Sequence, residues 1–545
     1  MQPPIEKPLN IGSIENSTKG IKLNAAISPE LNLIAYPVKN EIWVYNREKF
    51  VNTLFLKGHQ GKVTQLRWLP NGILVSSSAD NTIRFWDTKK GVELAKLILF
   101  QETNNWVVVT PQGQFDASES AMKKLYYVQG GETIALESLY EKFYTPNLLA
   151  RLMQGDALPA PDVDVTQLAP PPKVKMTFDV ARNLVVSNAV PILEWKNETI
   201  TIKVNAECAE STIDEIRLYL NDKLLGNTDR NLEVVDADQK TLSKSFTIKL
   251  APGINSFKAI ALNKQRTESQ PDETDVNYIP ANNTPAPATD DVKLHLVVIG
   301  VNDYKNPKYN LNYAKADAIS IKEELEQNHG IFNSTKVYFI TDAEATKTNI
   351  EATLNLVIKE AMPKDLFIFY YAGHGVMSDS QPQKEFYIVP YDVTQLYGAD
   401  DALAQKGISA KELQEFSKNI AAQKQLFILD ACQSAGMLQL MASRGAAEER
   451  AIAQLARSTG SHWLTASGSD QFATEFAQLG HGVFTYVLLK GLKGGAANGD
   501  KQITVNELKA YIEVQVPELS QKYKGSPQYP SSYGYGNDFP IEVIK

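Results

Sequence analysis

The chain has 545 residues, too many for one hydrophobic core, so about three domains are expected. Apolar residues make up 43% and charged residues 22%, an ordinary globular balance, and a net charge of −8 argues against nucleic acid as a partner. Two cysteines, Cys208 and Cys432, do not make a disulfide scaffold and fit a reducing, cytoplasmic compartment.

Residues 1–20 read as a tail: MQPPIEKPLNIGS has no signal-peptide core. Nowhere does an apolar run approach the roughly 18 residues of a membrane span, so no membrane partner is expected. Residues 21–118 carry a weak repeat, in which Asn40–Asn46 (NEIWVYN) aligns with Asn81–Asp87 (NTIRFWD) at an offset of 41 residues. Gly58-His59 opens the second copy and Trp86-Asp87 closes it, so it resembles a WD40 repeat, one blade of a β-propeller. Trp106–Phe115 supplies strands of a third, degenerate unit. Propellers usually close with four to eight blades, so two or three would make a shortened relative or a fragment completed by another domain or chain. His59 is read as structural: in blades of this kind the His, a turn Asp and the Trp share a buried hydrogen-bond network.

Residues 119–173 form a connector. Apolar positions from Ile134 to Leu152 keep helical spacing, broken at Thr145-Pro146-Asn147, which predicts two short helices followed by a Pro-rich linker. Residues 174–278 alternate apolar and polar at Thr199–Asn205, Glu215–Leu220 and Ser245–Leu250, with turns at Asn221-Asp222 and Pro252-Gly253. An Ig-like β-sandwich is expected there, holding Cys208 as an inert thiol. Residues 279–291 are a second linker.

Residues 292–545 alternate strand and helix: strand Leu294–Gly300, helix Ala314–Gln327, strand Lys336–Ile340, helix Lys347–Ala361, then LFIFYYAGHG at Leu366–Gly375. That order predicts a doubly wound, mostly parallel sheet. A second run, LFILDACQSAG at Leu426–Gly436, echoes the first. Continuous apolar runs of this kind are strands buried on both faces, and reactive groups in such sheets lie beyond the carboxyl ends of the strands. One run stops at Gly373-His374-Gly375 and the other at Asp430-Ala431-Cys432. An imidazole and a thiol delivered side by side make a nucleophile and its base.

These segments resemble the catalytic domain of the caspase-like cysteine peptidases, in particular the bacterial relatives and the metacaspases. The resemblance extends over residues 292–545, through Trp463–Ser467 and Gly482–Leu489, and the 58 residues between His374 and Cys432 are near the roughly 50 of caspases. The fold class is therefore multidomain: an α/β caspase-like doubly wound sheet at the C-terminus, preceded by a β-propeller-like WD40 fragment and an Ig-like sandwich. The resemblance implies an endopeptidase with His374 and Cys432 as the catalytic dyad and the backbone N–H groups of Gly375 and Cys432 as the oxyanion hole. It also implies Asp317 and Asp430 as the lining of the pocket for the residue before the cut, where two carboxylates favour Arg or Lys. Many metacaspases have Ser where this chain has Ala372 and Cys where it has Ala314, and Asp317 and Asp430 can also be read as a helix-surface and a strand-end carboxylate.

Asp470 is a further subsite candidate. Met437–Ser461 corresponds to a region often cut during caspase activation, with Arg444, Arg450 and Arg457 as autoprocessing candidates; a plain amphipathic helix is the other reading. Asn498-Gly-Asp500 lacks the ligand spacing of a calcium loop, and Thr504 with Glu507 reads as a capping box, so no metal or cofactor is implied. The expected partners are a peptide or protein substrate with a basic residue before the cut and a regulatory protein bound by the N-terminal half. A protease acting in bacterial stress, defence or programmed death is one reading; a catalytically silent peptide-binding scaffold and a partner-activated protease are the others.

Overall fold

In a computed structural model of the protein, the residues described are 25–100, 105–129, 132–155, 158, 161, 163–178, 184–185, 192–226, 232–234, 239–280, 292–327, 331–378, 385–432, 442–466, 475–476, 480–525 and 527–544. The chain divides into two compact units, 1–168 and 169–545.

The first unit holds two larger antiparallel sheets. Strands Ala26–Ile27, Leu33–Val38, Glu41–Asn46 and Val51–Leu56 form one; Val63–Trp68, Ile73–Ser78, Thr82–Asp87, Val92–Leu99, Trp106–Val109 and Phe115–Ala117 form the other. The described residues thus make two packed sheets without the ring of a propeller, and Trp106–Phe115 extends the second sheet rather than starting a third. His59 sits where the repeat demands: Nδ1 lies 3.0 Å from Asp80 Oδ2, Nε2 lies 2.8 Å from Ser76 Oγ, and Trp86 Nε1 donates to the same hydroxyl at 2.8 Å. Every polar atom of that buried ring has a partner, as burial requires. The connector adds a hairpin the periodicity did not predict, Tyr126–Gln129 with Glu132–Ala135, which takes Ile134 out of the expected helix. Helical turns follow at Leu136–Phe143 and Leu148–Gln154, parted at the expected Thr145–Asn147 break, where Asn147 is left-handed at φ 57°.

In the second unit, the described residues within 173–278 form two facing sheets over one core that includes Ile202, Val204, Leu218, Phe246, Phe257 and Val276. Thr199–Glu207, Ile213–Leu220 and Thr241–Lys249 are its long strands, alternating as the sequence does. Cys208 is buried in it with a free thiol.

Beyond it lies a sheet whose spatial order is Ser334–Thr341, Lys293–Gly300, Leu366–Met377, Lys424–Cys432, His462–Thr465 and Ser531–Gly534; the first five run parallel and the last antiparallel. All twelve residues of Leu366–Met377 are buried, which is why that run has no polar alternation. Leu296, Ile368, Tyr370 and Ile428 face one layer, packed on helices Ala314–Glu326, Val483–Lys490 and Val505–Lys524. Phe367, Phe369, Phe427 and Trp463 stack on the other face, toward helices Lys347–Glu360, Ala410–Asn419 and Ala442–Thr459. Gly300 permits the close approach of the first helix, since a Cβ there would lie 2.6 Å from that of Ala318. The last helix opens on the expected Thr504–Glu507 capping box but continues through Pro517 to Lys524. Burial of Val516 and Ser520, with Ser520 Oγ donating to the Val516 carbonyl at 2.7 Å, holds the turn that proline would end.

The two layers of this unit are bolted together. The Asn221-Asp222 turn, left-handed at φ 51° and 68°, delivers Lys223 Nζ to the Ile420 carbonyl and Asn221 Nδ2 to Gln423 Oε1 at 3.1 Å. Arg457 reaches back to Glu268 at 2.9 Å and stacks 5.9 Å from the ring of Tyr535.

Candidate active site

The carboxyl ends of the two central strands carry the two reactive residue types. Leu366–Met377 and Lys424–Cys432 pair in parallel without a slip, Leu366 opposite Lys424 through to His374 opposite Cys432. Adjacent parallel strands run about 4.8 Å apart, so the backbones at 374 and 432 are direct neighbours. Burial of the apolar positions of both strands specifies this register, since a one-residue slip would move every side chain to the other face.

His374 is fixed on every side. Its ring is buried and stands 4.9 Å from that of Tyr304, and its Nε2 lies 2.7 Å from the Tyr309 carbonyl oxygen. A carbonyl only accepts, so Nε2 carries the hydrogen, and in the neutral ring Nδ1 is the basic nitrogen. The His374 N–H donates to Tyr304 Oη at 2.8 Å, and its carbonyl accepts from Tyr371 Oη at 2.8 Å and from the Val389 N–H at 3.0 Å. Glycines flank it because side chains there would collide: a Cβ on Gly373 would meet the hydroxyls of Tyr371 and Tyr304, and one on Gly375 would lie 2.9 Å from Phe386.

Residues 293–533 match the caspase domain family. Residues 49–87 match the WD domain, G-beta repeat. A protein of a Desulfuromonadales bacterium, named a probable protease, is 27% identical over 153 residues, which are 25% of this chain and 18% of that protein. Metacaspase-1A of Aspergillus niger is 32% identical over 88 residues, 15% of this chain and 22% of the metacaspase. The chain thus spans about a fifth of the length of either curated relative. A crystal structure from Geobacter sulfurreducens overlaps 47% of this chain and all of its own, at 17% identity and a TM-score of 0.34.

Within the caspase-domain segment, Asp317 and Asp430 converge. Asp317, in the first turn of helix Ala314–Glu326, and Asp430, two residues before Cys432, are both buried. A Cβ on Gly482 would lie 3.3 Å from Oδ2 of each, so the two carboxylates converge beside the Gly482 backbone. Asp317 is thereby not the helix-surface residue of the alternative reading. Asp430 Oδ2 accepts from Thr485 Oγ1 at 2.6 Å, and that hydroxyl lies 2.7 Å from Tyr370 Oη. Asp317 Oδ1 lies 2.7 Å from His481 Nδ1, and its Oδ2 accepts from the Gly482 N–H at 3.2 Å.

His481, Gly482 and Thr485 were missed in the sequence, as were Tyr304 and Tyr309. The available signal was a His-Gly dipeptide, His481-Gly482, opening an apolar helix, as one of three such dipeptides in a chain with six histidines.

Asp470 lies outside the described residues. Of the three autoprocessing candidates, all fall in helix Ala442–Thr459, with the Arg444 side chain outside those described. The helical reading of Met437–Ser461 therefore holds over 442–459. Arg457 is tied to Glu268 in its last turn, and an extended, cleavable backbone there would require that turn to unwind. Among the described residues no helix is long and apolar enough to cross a membrane.

Proposed function

We propose that residues 292–545 are a cysteine endopeptidase of the caspase and metacaspase type that cuts after Arg or Lys. The observation that carries this is the slip-free parallel pairing that sets His374 opposite Cys432 at the carboxyl end of the sheet.

His374 acts as the base. With Nε2–H held by the Tyr309 carbonyl, Nδ1 takes the Cys432 thiol proton, and the thiolate adds to the substrate carbonyl carbon. The N–H groups of Gly375 and Cys432 receive the developing oxyanion. The imidazolium returns its proton to the leaving amine, and water, deprotonated by the same nitrogen, hydrolyses the thioester and frees the thiol. The backbone clamp on His374 supports this role, because a ring already fixed needs no reorganisation at the moment of transfer. Two buried carboxylates converging beside Gly482 support selection of a cationic side chain.

The WD-repeat unit and the two-sheet layer supply partner binding or restraint, and resemblance to multidomain bacterial caspase-like proteins supports a role in stress, defence or programmed death. The two-cysteine composition supports a reducing, cytoplasmic location. The test is cleavage of fluorogenic peptides ending in Arg, Lys or Asp by the full chain and by Cys432→Ala. Cleavage of the Arg and Lys peptides, abolished by the substitution, is expected. Activity that survives it removes the thiol mechanism, faster cutting after Asp removes the pocket assignment, and no cleavage with a folded chain favours a peptide-binding scaffold.

A further inference from the structure

We propose that the first unit carries a binding site for a small organic molecule with a single negative charge on an apolar body, in the cavity lined by its second sheet and by the Tyr126–Ala135 hairpin. The site is separate from the peptidase reading and does not depend on it.

The cavity measures about 420 Å³, within the range of small-molecule sites. Strand pairing places its charged groups. Lys96 stands directly opposite Arg84 on one neighbouring strand and opposite Val109 on the other. The register slip between Phe85 and Trp86 sets Glu93 opposite Trp86, two residues from Arg84. Glu93 therefore shares a face with Lys96, although an odd spacing in a regular strand would part them. Thr110 and Pro111 come from the turn after Val109, against which Val165 is seated: a Cβ on Gly113 would lie 2.9 Å from that of Val165. Leu125, Tyr127 and Leu136, from the hairpin and its flanks, complete the lining, and Tyr126 lines it while remaining 55% exposed. The cavity thus reaches solvent beside Tyr126.

Like charges directly opposite each other in an antiparallel pair destabilise a sheet, and Arg84 and Lys96 form such a pair. Glu93 answers one of the two charges by pairing with Arg84. Gly58 lets that ion pair pack closely, since a Cβ there would lie 2.6 Å from Arg84 Nη1 and 2.9 Å from Glu93 Oε2. Lys96 has no carboxylate within ion-pair reach among the described residues, so two cations and one carboxylate leave the lining with one positive charge.

Three lining residues also carry a buried polar atom without a hydrogen-bond partner among the described residues: Arg84 Nε, Thr110 Oγ1 and the Tyr127 hydroxyl. Buried polar atoms are ordinarily paired, and Arg84 and Thr110 are only 9% and 4% exposed. Burial pushes the Tyr127 phenol up to about 12, so it remains an uncharged hydroxyl that can donate. A guanidinium N–H, an ammonium and two hydroxyls suit an oxygen-rich anionic head. Ile98, Val109, Pro111, Leu125, Leu136 and Val165 supply apolar surface for the rest of the molecule. A bare inorganic ion would leave that surface unused, and a second negative charge on the ligand would face Glu93 without a cation to meet it.

The probes are anilinonaphthalene sulfonate and phenylnaphthylamine, the same ring system without the sulfonate, titrated by fluorescence into the full chain. The sulfonate should saturate one site and bind about tenfold or more tighter than the neutral probe. Lys96→Gln, at a half-buried position, should weaken the sulfonate about tenfold and leave the neutral probe unchanged. Lys49→Gln, which removes an exposed charge from a turn of the first sheet, should change neither. Thr110→Val keeps the side-chain shape and should weaken the sulfonate several-fold, which serves if Lys96→Gln disturbs folding. Octanoate, a slimmer monoanion, should displace the sulfonate probe, and octylammonium should not. Sulfonate binding that survives both substitutions, or equal displacement by octylammonium, overturns the site. Equal affinity for the two probes overturns the preference for an anion. A folded chain that binds neither the sulfonate nor octanoate has no site for this class of ligand.

Discussion

Lys223 is a buried cation without a counter-ion, and replacing it by methionine should stabilise the protein in a pH-dependent way. Its side chain is buried where the two-sheet layer meets the sheet carrying His374, and its Nζ donates to the Ile420 carbonyl. Burial lowers its pKa from the ordinary 10.5 to about 7. At 1.36 kcal/mol per pH unit, that difference corresponds to roughly 4–5 kcal/mol for keeping the ammonium in place. The carbonyl contact and local relaxation offset part of it, so Lys223→Met should gain about 1–3 kcal/mol at pH 6. The sign with pH follows from proton counting. Between about pH 7 and 10.5 the unfolded chain holds a proton that the folded chain has released, so native stability rises with pH across that window. The gain from methionine should therefore be largest below pH 7 and shrink steadily toward pH 10.5. Calorimetric unfolding of the full chain and the variant at several pH values, following the transition of residues 169–545, measures this. A loss of stability at pH 6, or a gain that stays constant up to pH 10, would refute the picture of an unpaired buried ammonium.

Two further outcomes follow from the same kind of bookkeeping. Burial pushes the Asp365 carboxyl up, but hydrogen bonds from His295 and from the Met362 and Lys293 N–H groups outweigh it and hold the pKa below its ordinary value. That stability is present above the ordinary carboxylate range and lost as pH falls, so Asp365→Ala should cost about 1–3 kcal/mol at pH 7 and less near pH 3 in denaturant titrations. Tyr304→Phe removes the hydroxyl that accepts the His374 N–H; kcat should fall about tenfold with KM little changed, and an unchanged kcat would separate the Tyr304 contact from catalysis.

Features written locally were legible. Continuous apolar runs announced the buried strands of the central sheet, and the spacing of Thr504 and Glu507 gave the helix start. The Gly58-His59 and Trp86 pattern, through its resemblance to a WD40 repeat, implied a network of His59, a turn Asp and Trp86; Asp80 fills the acidic place and Ser76, which the pattern did not mark, joins the two rings. What could not be read depends on partners far apart in the chain. His481 meets Asp317 across 164 residues, and Lys223 meets Ile420 across 197, so neither local pattern nor composition marks them. The hairpin at Tyr126–Ala135 has strands of four residues each, too short for alternation to outweigh the helical spacing that begins at Ile134. Pro517 is the opposite case: the local rule that proline ends a helix is clear, and packing of the following turn overrides it.

The account depends on the Cys432 thiol being activated by His374, and a modification experiment addresses that most directly. Full-length protein treated with an arginyl chloromethyl ketone and mapped by mass spectrometry should carry one adduct, on Cys432, with buried Cys208 unmodified. The adduct should be lost in a folded His374→Ala variant. Labelling of Cys432 that is just as fast without the imidazole, or no labelling of Cys432 at all, would contradict the account.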